Sequence, residues 1–209
     1  GDLELRGRGR RRQRGLFPRR RCIGVGGMRV GMAAGVGGEI AVYMQRAGGE
    51  FRVNRFSFLA ESEATLGVAN QYSAFGFASQ SHQRRPQYAV VPDPENIELN
   101  RLQLQYRGEA ATLTLGRQRI DLDDQRFVSS AGWRQNEQTF DAVRAEAHAG
   151  PFRLDSSYAI SQRTIFGVDA GPRQAYDGKF WLLGAGVKAG PIDLKGFAYL
   201  LDYDAAFLF

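Results

Sequence analysis

Long apolar runs are missing from this 209-residue sequence, and no stretch of about 18 apolar residues is available for a transmembrane helix. Cysteine occurs once, at Cys22, which excludes an intrachain disulfide and a thiolate metal cluster. His82 and His148 are the only histidines, which argues against a histidine-rich metal site. Even so, 43% of the residues are hydrophobic and 11% are aromatic, too many for a wholly disordered chain.

Outside the N-terminal segment, the chain carries no excess of positive charge. Residues 1–21 hold nine arginines against Asp2 and Glu4, so the other 188 residues sum to −1 although the whole chain carries +6. Residues 1–50 hold 13 of the 26 glycines and show no period of 2 or 3.6. Three interpretations of this Arg/Gly-rich segment stay open: a disordered basic arm, a leader, or DNA translated in the wrong reading frame. Residues 51–209 are the predicted folded part, and no nucleic-acid partner is expected.

From about residue 40 the chain alternates apolar with polar residues, as a two-faced strand does. In RLQLQYRG, for example, Leu102, Leu104 and Tyr106 share one parity while Arg101 and Gln103 take the other. The pattern predicts an all-β fold with about eight strands. Their predicted ranges are 40–46, 51–66, 97–107, 111–119, 139–148, 152–163, 179–188 and 191–203.

The connections between these strands are of two kinds. Ala-Gly-Pro occurs at residues 149–151 and again at 189–191, where Gly followed by Pro makes a tight turn. Gly108 marks another tight turn, and residues 47–50 (AGGE) are a weaker candidate. Long polar loops are predicted at the other strand ends, over residues 68–96, 120–138 and 164–178.

This asymmetry of short turns and long loops favours one fold class. Compact soluble domains rarely carry several long structureless loops, whereas outer-membrane barrels have short turns at one end and long loops at the other. Tyr106, Phe152, Tyr158 and Trp181 are predicted near strand ends, where such barrels carry aromatic girdles. The sequence therefore predicts an antiparallel up-and-down transmembrane β-barrel of the outer-membrane type.

If the apolar parity faces lipid, the polar parity lines a lumen. Arginine in a pore attracts anions and holds carboxylates through two hydrogen bonds, but the same arginines could instead pair with lumen acids in a structural network. Both interpretations stay open. The predicted lining residues are Arg101, Gln103, Gln105, Arg107, Arg144, Glu146, Arg153, Asp155, Arg163 and Lys188.

Arg117 and Arg119 do not fit strict alternation, because they share a parity with Leu113 and Leu115. On a lipid-facing surface each would cost about 2–4 kcal/mol near the midplane. A bulge at Gly116 would switch the parity and turn both arginines into the lumen, toward Asp121, Asp123 or Asp124.

Enzymatic readings are weak. Glu61 and Glu63 share one strand face and imitate a glycosidase pair, but lumen carboxylates are the favoured interpretation. The acidic run at 121–124 resembles a loop Ca²⁺ ligand set without EF-hand spacing. No enzyme activity and no cofactor are expected.

The segments LGRQRIDLDDQRFVSSAGWRQNEQTFDAVR and VVPDPENIELNRLQLQYRG resemble the alginate-export family of Gram-negative outer-membrane porins. The resemblance runs from about residue 56 to residue 203. It implies a monomeric outer-membrane barrel whose pore passes an anionic polyuronate, and it makes this chain look like the N-terminal half of a longer barrel. The lipid bilayer and the outer-membrane assembly machinery are then the expected partners.

Residues of the 120–138 loop are expected at the pore mouth. They are Asp121, Asp123, Asp124, Arg126, Trp133 and Arg134. Three alternatives to the polyuronate channel stay open. They are a general or phosphate-type anion porin, a soluble β-sandwich carbohydrate-binding protein, and a nucleic-acid binder that uses the N-terminal arm.

Overall fold

The strands of this protein form one antiparallel sheet in which every neighbour in space is the neighbour in sequence. The computed structural model describes residues 24–25, 42–67 and 71–204, so most of the Arg/Gly-rich segment lies outside the described residues. The strands are β1 (Gly24–Val25), β2 (Val42–Val53), β3 (Phe56–Gly67), β4 (Asn96–Arg107), β5 (Ala111–Gln118), β6 (Thr139–Ala149), β7 (Phe152–Arg163), β8 (Ala175–Ala189) and β9 (Ile192–Tyr203). The predicted all-β, up-and-down arrangement with eight long strands is confirmed. The predicted boundary at residue 50 falls inside β2.

Strand register shows a regular stagger across the sheet. A line drawn perpendicular to the strands from Phe56, the first residue of β3, passes through Tyr106 and Leu183 and meets Ala198, the seventh residue of β9. Six residues of offset are about 20 Å, and six strand spacings are about 29 Å, so the strands tilt by about 35°. Closing a sheet into a barrel requires a tilt of this size. The described sheet is therefore staggered as part of a barrel is.

Tight turns connect the strands at one end of the sheet. Gly150 and Gly190 have φ of +56° and +60°, which explains why both Ala-Gly-Pro segments end a strand. The weaker turn predicted at residues 47–50 is wrong, because β2 continues to Val53. Gly48 lets β3 pass closely there, since a Cβ on it would lie 2.5 Å from the Ala60 carbonyl oxygen. The chain turns instead at Asn54, whose φ is +53°.

The long loops at the other end are more ordered than the sequence suggested. Tyr72 and Phe75 of the first loop form a small core with Ala170 of the third, and Phe166 packs against it. The third loop is shorter than predicted because β8 begins at Ala175, and it contains the 3-10 helix Val168–Arg173. No helix in the described part of the chain is long and apolar enough to cross a membrane.

The two faces of the sheet differ in chemistry. On the outer face, large apolar side chains from β3 to β9 stand 36% to 69% exposed. They include Phe56, Phe58, Ile97, Leu99, Leu102, Leu104, Tyr106, Leu113, Leu115, Val143, Phe152, Leu154, Trp181, Ile192, Leu194 and Leu200. The opposite face, called the inner face below, carries most of the charged strand residues. Monomeric soluble proteins rarely expose an apolar surface this large.

Aromatic residues on the outer face are only partly placed as predicted. Phe56 and Tyr106 lie next to the tight turns with ring centroids 5.1 Å apart. Tyr158 and Trp181 pair at 4.6 Å, but each is the seventh residue of its strand. The prediction that they lie near strand ends is therefore wrong, because β8 begins four residues earlier than the periodicity indicated.

Gly116 does not shift the strand register. It pairs regularly with Gln103 on β4 and with Ala142 on β6, so the predicted parity-switching bulge at this position is wrong. Its φ of +109° bends the backbone without adding a residue. The register shifts lie elsewhere, at Asn100 on β4 and Ile160 on β7, which are skipped in the pairing.

We predict that Gly116→Ala destabilises the folded protein. A Cβ on Gly116 would lie 2.3 Å from the Leu102 carbonyl oxygen, and its φ is one that side-chain-bearing residues rarely adopt. The backbone strain alone is worth about 1–3 kcal/mol. Gly196→Ala is the matched control, since a Cβ there meets nothing within 4 Å. Urea unfolding of detergent-folded protein measures both, and equal midpoints for the two variants would contradict this account.

Candidate functional site

The loop between β5 and β6, residues 119–138, folds across the inner face instead of extending away from it. Near one side of the sheet Phe127 stacks beside Phe197 of β9 at 5.6 Å, and Asp123 contacts Lys195. At the other side Arg46 of β2 reaches the carbonyl oxygens of Arg134 and Gln135 at 3.4 Å. One loop therefore spans the inner face from β2 to β9.

The base of this loop is anchored by apolar packing. Ile120 is fully buried against Phe140, Phe180 and Leu182, and Val128 packs on the same cluster. Burying a side chain of that size is worth about 1.5–3 kcal/mol. The inner face is thus apolar beneath the loop base, although alternation had suggested a polar lumen face throughout.

A closed neck separates this base from the rest of the loop. The Gln138 amide donates to the Ser130 carbonyl oxygen at 2.8 Å, and the Gln138 side chain donates to the Ser129 carbonyl at 3.0 Å. Residues 131–137, called the tip below, project from this neck toward β2, β3 and β4. The tip contacts β3 and the loop that precedes β4 through polar groups: the Thr65 hydroxyl donates to Asn136 Oδ1 at 2.7 Å, and Asn136 donates to the Pro94 carbonyl at 3.0 Å.

Glu137 is the most deeply held group of the tip. Its side chain is fully buried, forms ion pairs with Arg46 Nη1 at 2.5 Å and with Arg119 Nε, and accepts a hydrogen bond from Asn100 Nδ2 at 3.0 Å. Its backbone amide donates to Glu63 Oε1 at 3.1 Å. Removing one partner from a buried ion pair leaves the other charge uncompensated and is costly, so these contacts hold the tip on the sheet.

Strand carboxylates hold the same donors from the other side. Glu63 accepts from Arg46 Nε at 2.5 Å, and Glu61 accepts from Asn100 at 3.1 Å and lies 3.6 Å from Arg119. Glu61 also receives a bidentate contact from Arg101, at 2.8 and 2.6 Å. Glu61 and Glu63 are therefore buried inner-face carboxylates, the favoured interpretation of the sequence.

Three other predicted lining arginines, Arg144, Arg153 and Arg163, are also paired with acids. Arg144 holds Asp155 at 3.0 and 2.6 Å and Glu146 at 3.0 Å. Arg153 pairs with Asp193 in an exposed contact, with about half of each side chain accessible. Arg163 reaches Glu98 of β4 at 3.1 Å. This is the paired network that the sequence left open; a role for these arginines in attracting anions stays a prediction.

The remaining predicted lining residues lie toward the tight turns. Gln105 donates to the Thr114 hydroxyl at 2.9 Å and accepts from Arg107 at 2.6 Å. Gln103 pairs with Gly116 across the strands, and Lys188 pairs with Asp193 in register. A cavity of about 380 Å³ opens here. Its lining includes Glu146, His148, Arg153, Asp155, Gly184 and Lys195.

Arg117 and Arg119 separate, contrary to the prediction that both turn inward to the aspartates of the loop. Arg117 keeps the parity of Leu115, holds Asp141 through two contacts of 2.8 Å, and donates to the Leu99 carbonyl at 3.1 Å. The prediction that Arg117 turns into the lumen is therefore wrong. Arg119 lies beyond the end of β5, is free of strand alternation, and joins Glu137.

The loop acids bind groups of the chain itself. Asp121 accepts from the Ser130 amide at 2.6 Å, and Asp124 pairs with Arg126 at 3.0 Å. Among the described residues, no group of three Asp, Glu, His or Cys side chains is arranged to hold a metal ion. The predicted Ca²⁺ option therefore gains no support from this loop.

Trp133 lies at the outermost point of the tip. Its side chain is 79% exposed, and its expected position at the pore mouth stays a prediction. The guanidinium of Arg134 stacks on it at 4.7 Å and lies 3.9 Å from Asp93. Burial raises the pKa of the Asp93 carboxyl, and the charge of Arg134 opposes that shift.

Sequence reasoning missed three members of the central cluster: Arg46, Asn100 and Glu137. Arg46 shares its parity in β2 with Val42 and Met44 and follows Gln45, so alternation gave no signal for it. Glu137 stands in a polar stretch in which nothing local distinguishes a buried acid from a solvated one. Asn100 is skipped in the strand pairing, and alternation cannot reveal a skipped residue.

Comparison with known proteins gives one family. The alginate export family matches residues 52–162, which is just over half of the chain and includes β3 to β6 and most of β7. No curated protein and no solved structure matches. The matched stretch contains Glu61, Glu63, Asn100, Arg119 and Glu137 of the cluster described above. The chain belongs to the alginate export family.

Proposed function

We propose that this chain forms part of the wall of an outer-membrane channel that passes an anionic poly- or oligosaccharide resembling alginate. One observation carries the proposal: the same strands present a broad exposed apolar face on one side and arginine–carboxylate pairs on the other. An apolar outer face suits lipid, and the stagger of about 35° suits a closed barrel. Membership of an export family supports a transport role.

Passage would proceed by exchange of carboxylate partners. The Arg153–Asp193 pair is about half exposed, and exposed ion pairs are worth only about 0–1 kcal/mol. A uronate carboxylate can take the place of the Asp193 carboxylate, which the guanidinium holds through Nη2, and can also bind it through two hydrogen bonds. Successive sugars would replace protein carboxylates one at a time, with little change in free energy at each step.

The alternative functions are supported to different degrees. A general or phosphate-type anion porin would use the same arginines and is separated from the main proposal by substrate tests. A soluble β-sandwich needs two facing sheets, whereas every described strand belongs to one sheet. A basic arm that binds nucleic acid falls in residues outside those described.

The remaining assignments follow from the same proposal. The protein acts as a channel and not as an enzyme, needs no cofactor, and works as a monomer in the Gram-negative outer membrane. Its partners are the bilayer, the anionic saccharide and the outer-membrane assembly machinery.

Ion selectivity tests the role of the inner-face charges. In planar bilayers with a KCl gradient, we expect Asp193→Asn to raise the chloride-to-potassium permeability ratio on the order of twofold, because it removes a lumen anion. Arg153→Gln removes the partner cation and should lower the ratio by a similar factor. Reversal potentials measure both. If the two variants give the same reversal potential, these groups do not face the conduction path.

Adjacent residues of β4 test which face meets lipid. Leu102 is 41% exposed on the outer face, while Gln103 lies on the inner face. Leu102→Lys should lower the free energy of unfolding from lipid vesicles by about 2–4 kcal/mol, because its charge would lie near the middle of the apolar band. Gln103→Lys, the matched control, should cost far less. Equal losses measured by urea titration would refute the assignment of the faces.

A further inference from the structure

The Glu137 carboxylate occupies a site with the features of a carboxylate receptor. Two cations and one hydrogen-bond donor from three separate parts of the chain converge on it. Arg46 of β2 and Arg119 at the start of the loop form ion pairs with it, and Asn100 of β4 donates a hydrogen bond. Arg46 and Asn100 are almost fully buried, at 8% and 2% exposure. Two guanidinium groups and an amide aimed at one carboxylate are a typical means of binding that group.

The donors are held independently of Glu137. Glu63 anchors Arg46, and Glu61 anchors Asn100 and lies next to Arg119. Because Glu61 and Glu63 belong to strand β3, these anchors stay in place if the tip lifts. The receptor is therefore preorganised by the sheet, whereas its occupant comes from a loop.

Charge counting supports an exchangeable occupant. The cluster holds three guanidinium groups, those of Arg46, Arg101 and Arg119, and two strand carboxylates, those of Glu61 and Glu63. Without Glu137 its net charge is +1, and with Glu137 it is neutral. An unfilled receptor would leave a buried positive charge unpaired, which is costly, so the tip lifts readily only when another carboxylate takes its place.

We propose that Arg46, Asn100 and Arg119 form a carboxylate-binding site, and that Glu137 is an internal occupant which a carboxylate of the transported saccharide displaces. Displacement frees the tip, residues 131–137, from the inner face and opens the path that it covers. Arg119 is 31% exposed in its side chain and gives an incoming carboxylate its first contact. No bond is formed or broken. This inference rests on the proposed channel function and adds a ligand-released latch to it.

The first experiment removes the Glu137 carboxylate from the proposed carboxylate-binding site. In planar bilayers, the full-length protein carrying Glu137→Gln should open more often in plain KCl than the parent does, and an oligouronate should raise its open fraction further at a roughly tenfold lower concentration than in the parent. A neutral oligosaccharide of equal length should leave both currents unchanged. Glu109→Gln is the matched control, since Glu109 pairs with Arg55 in an exposed turn. It should behave as the parent does.

The second experiment locks the tip. The side chains of Thr65 and Asn136 touch at 2.7 Å, so Thr65→Cys with Asn136→Cys, in a Cys22→Ser background, places two thiols together. The oxidised protein should lose the response to oligouronate, and reduction should restore it. The reduced double variant controls for the substitutions themselves. A formed disulfide that leaves the response unchanged overturns the latch.

The outcomes separate the latch from the channel function. A parent protein that conducts but ignores oligouronate, together with an unresponsive Glu137→Gln variant, overturns the proposed substrate class. A parent that responds to oligouronate at the same concentration as Glu137→Gln keeps the channel function and overturns the latch. Raised opening of Glu137→Gln in plain KCl, with the tenfold shift, supports both.

Discussion

Every long strand of this protein has to satisfy two surroundings at once, an apolar one on its outer face and a charged one on its inner face. Side chains alternate across a strand with a period of two, so neighbouring residues such as Leu102 and Gln103 serve opposite faces. The backbone groups between them are paired with the adjacent strands, and the pairing is staggered by about one residue per strand. The tilt, the apolar outer face and the charged inner face all follow from this one constraint.

The charges on the inner face are balanced to a degree that composition does not reveal. Arg101, Arg144, Arg153 and Arg163 each contact an acid on a neighbouring part of the chain. The inner face is therefore a series of ion pairs and not a field of unpaired arginines. Such a surface suits a polyanion that exchanges partners as it moves, since tight binding at one point would slow its release.

The loop between β5 and β6 gives this inner face its second layer. Its base is held by burial of Ile120 and its tip by the ion pairs of Glu137, two interactions of different physical kind. An added carboxylate does not affect apolar packing, whereas it can compete with the Glu137 carboxylate for the arginines of the ion pairs. In the latch that we propose, the tip is the part of the loop that responds to substrate, and the base is the part that retains the loop.

Some sequence expectations failed where long-range geometry overrode the local pattern. Gly116 carries a strained φ without a bulge, because its missing Cβ admits the Leu102 carbonyl. Arg117 stays on the outer face because Asp141, 24 residues away, accepts both of its donor groups there. Glu137 was overlooked because its partners Arg46 and Glu63 lie far from it in sequence. The strands, the Ala-Gly-Pro turns and the family could be predicted, because each depends on the residues of a short stretch of chain.

The sequence by itself determined the all-β class, the number of long strands and the face on which most strand residues lie, since a period of two is a local property of the backbone. Only the tertiary structure decided which acid each arginine holds, where the register shifts, and that the β5–β6 loop turns inward onto the sheet. The physical reason is distance along the chain. Glu137 meets Glu63 across 74 residues, and contacts of that range depend on strand stagger and on the path of a loop, neither of which any local pattern encodes.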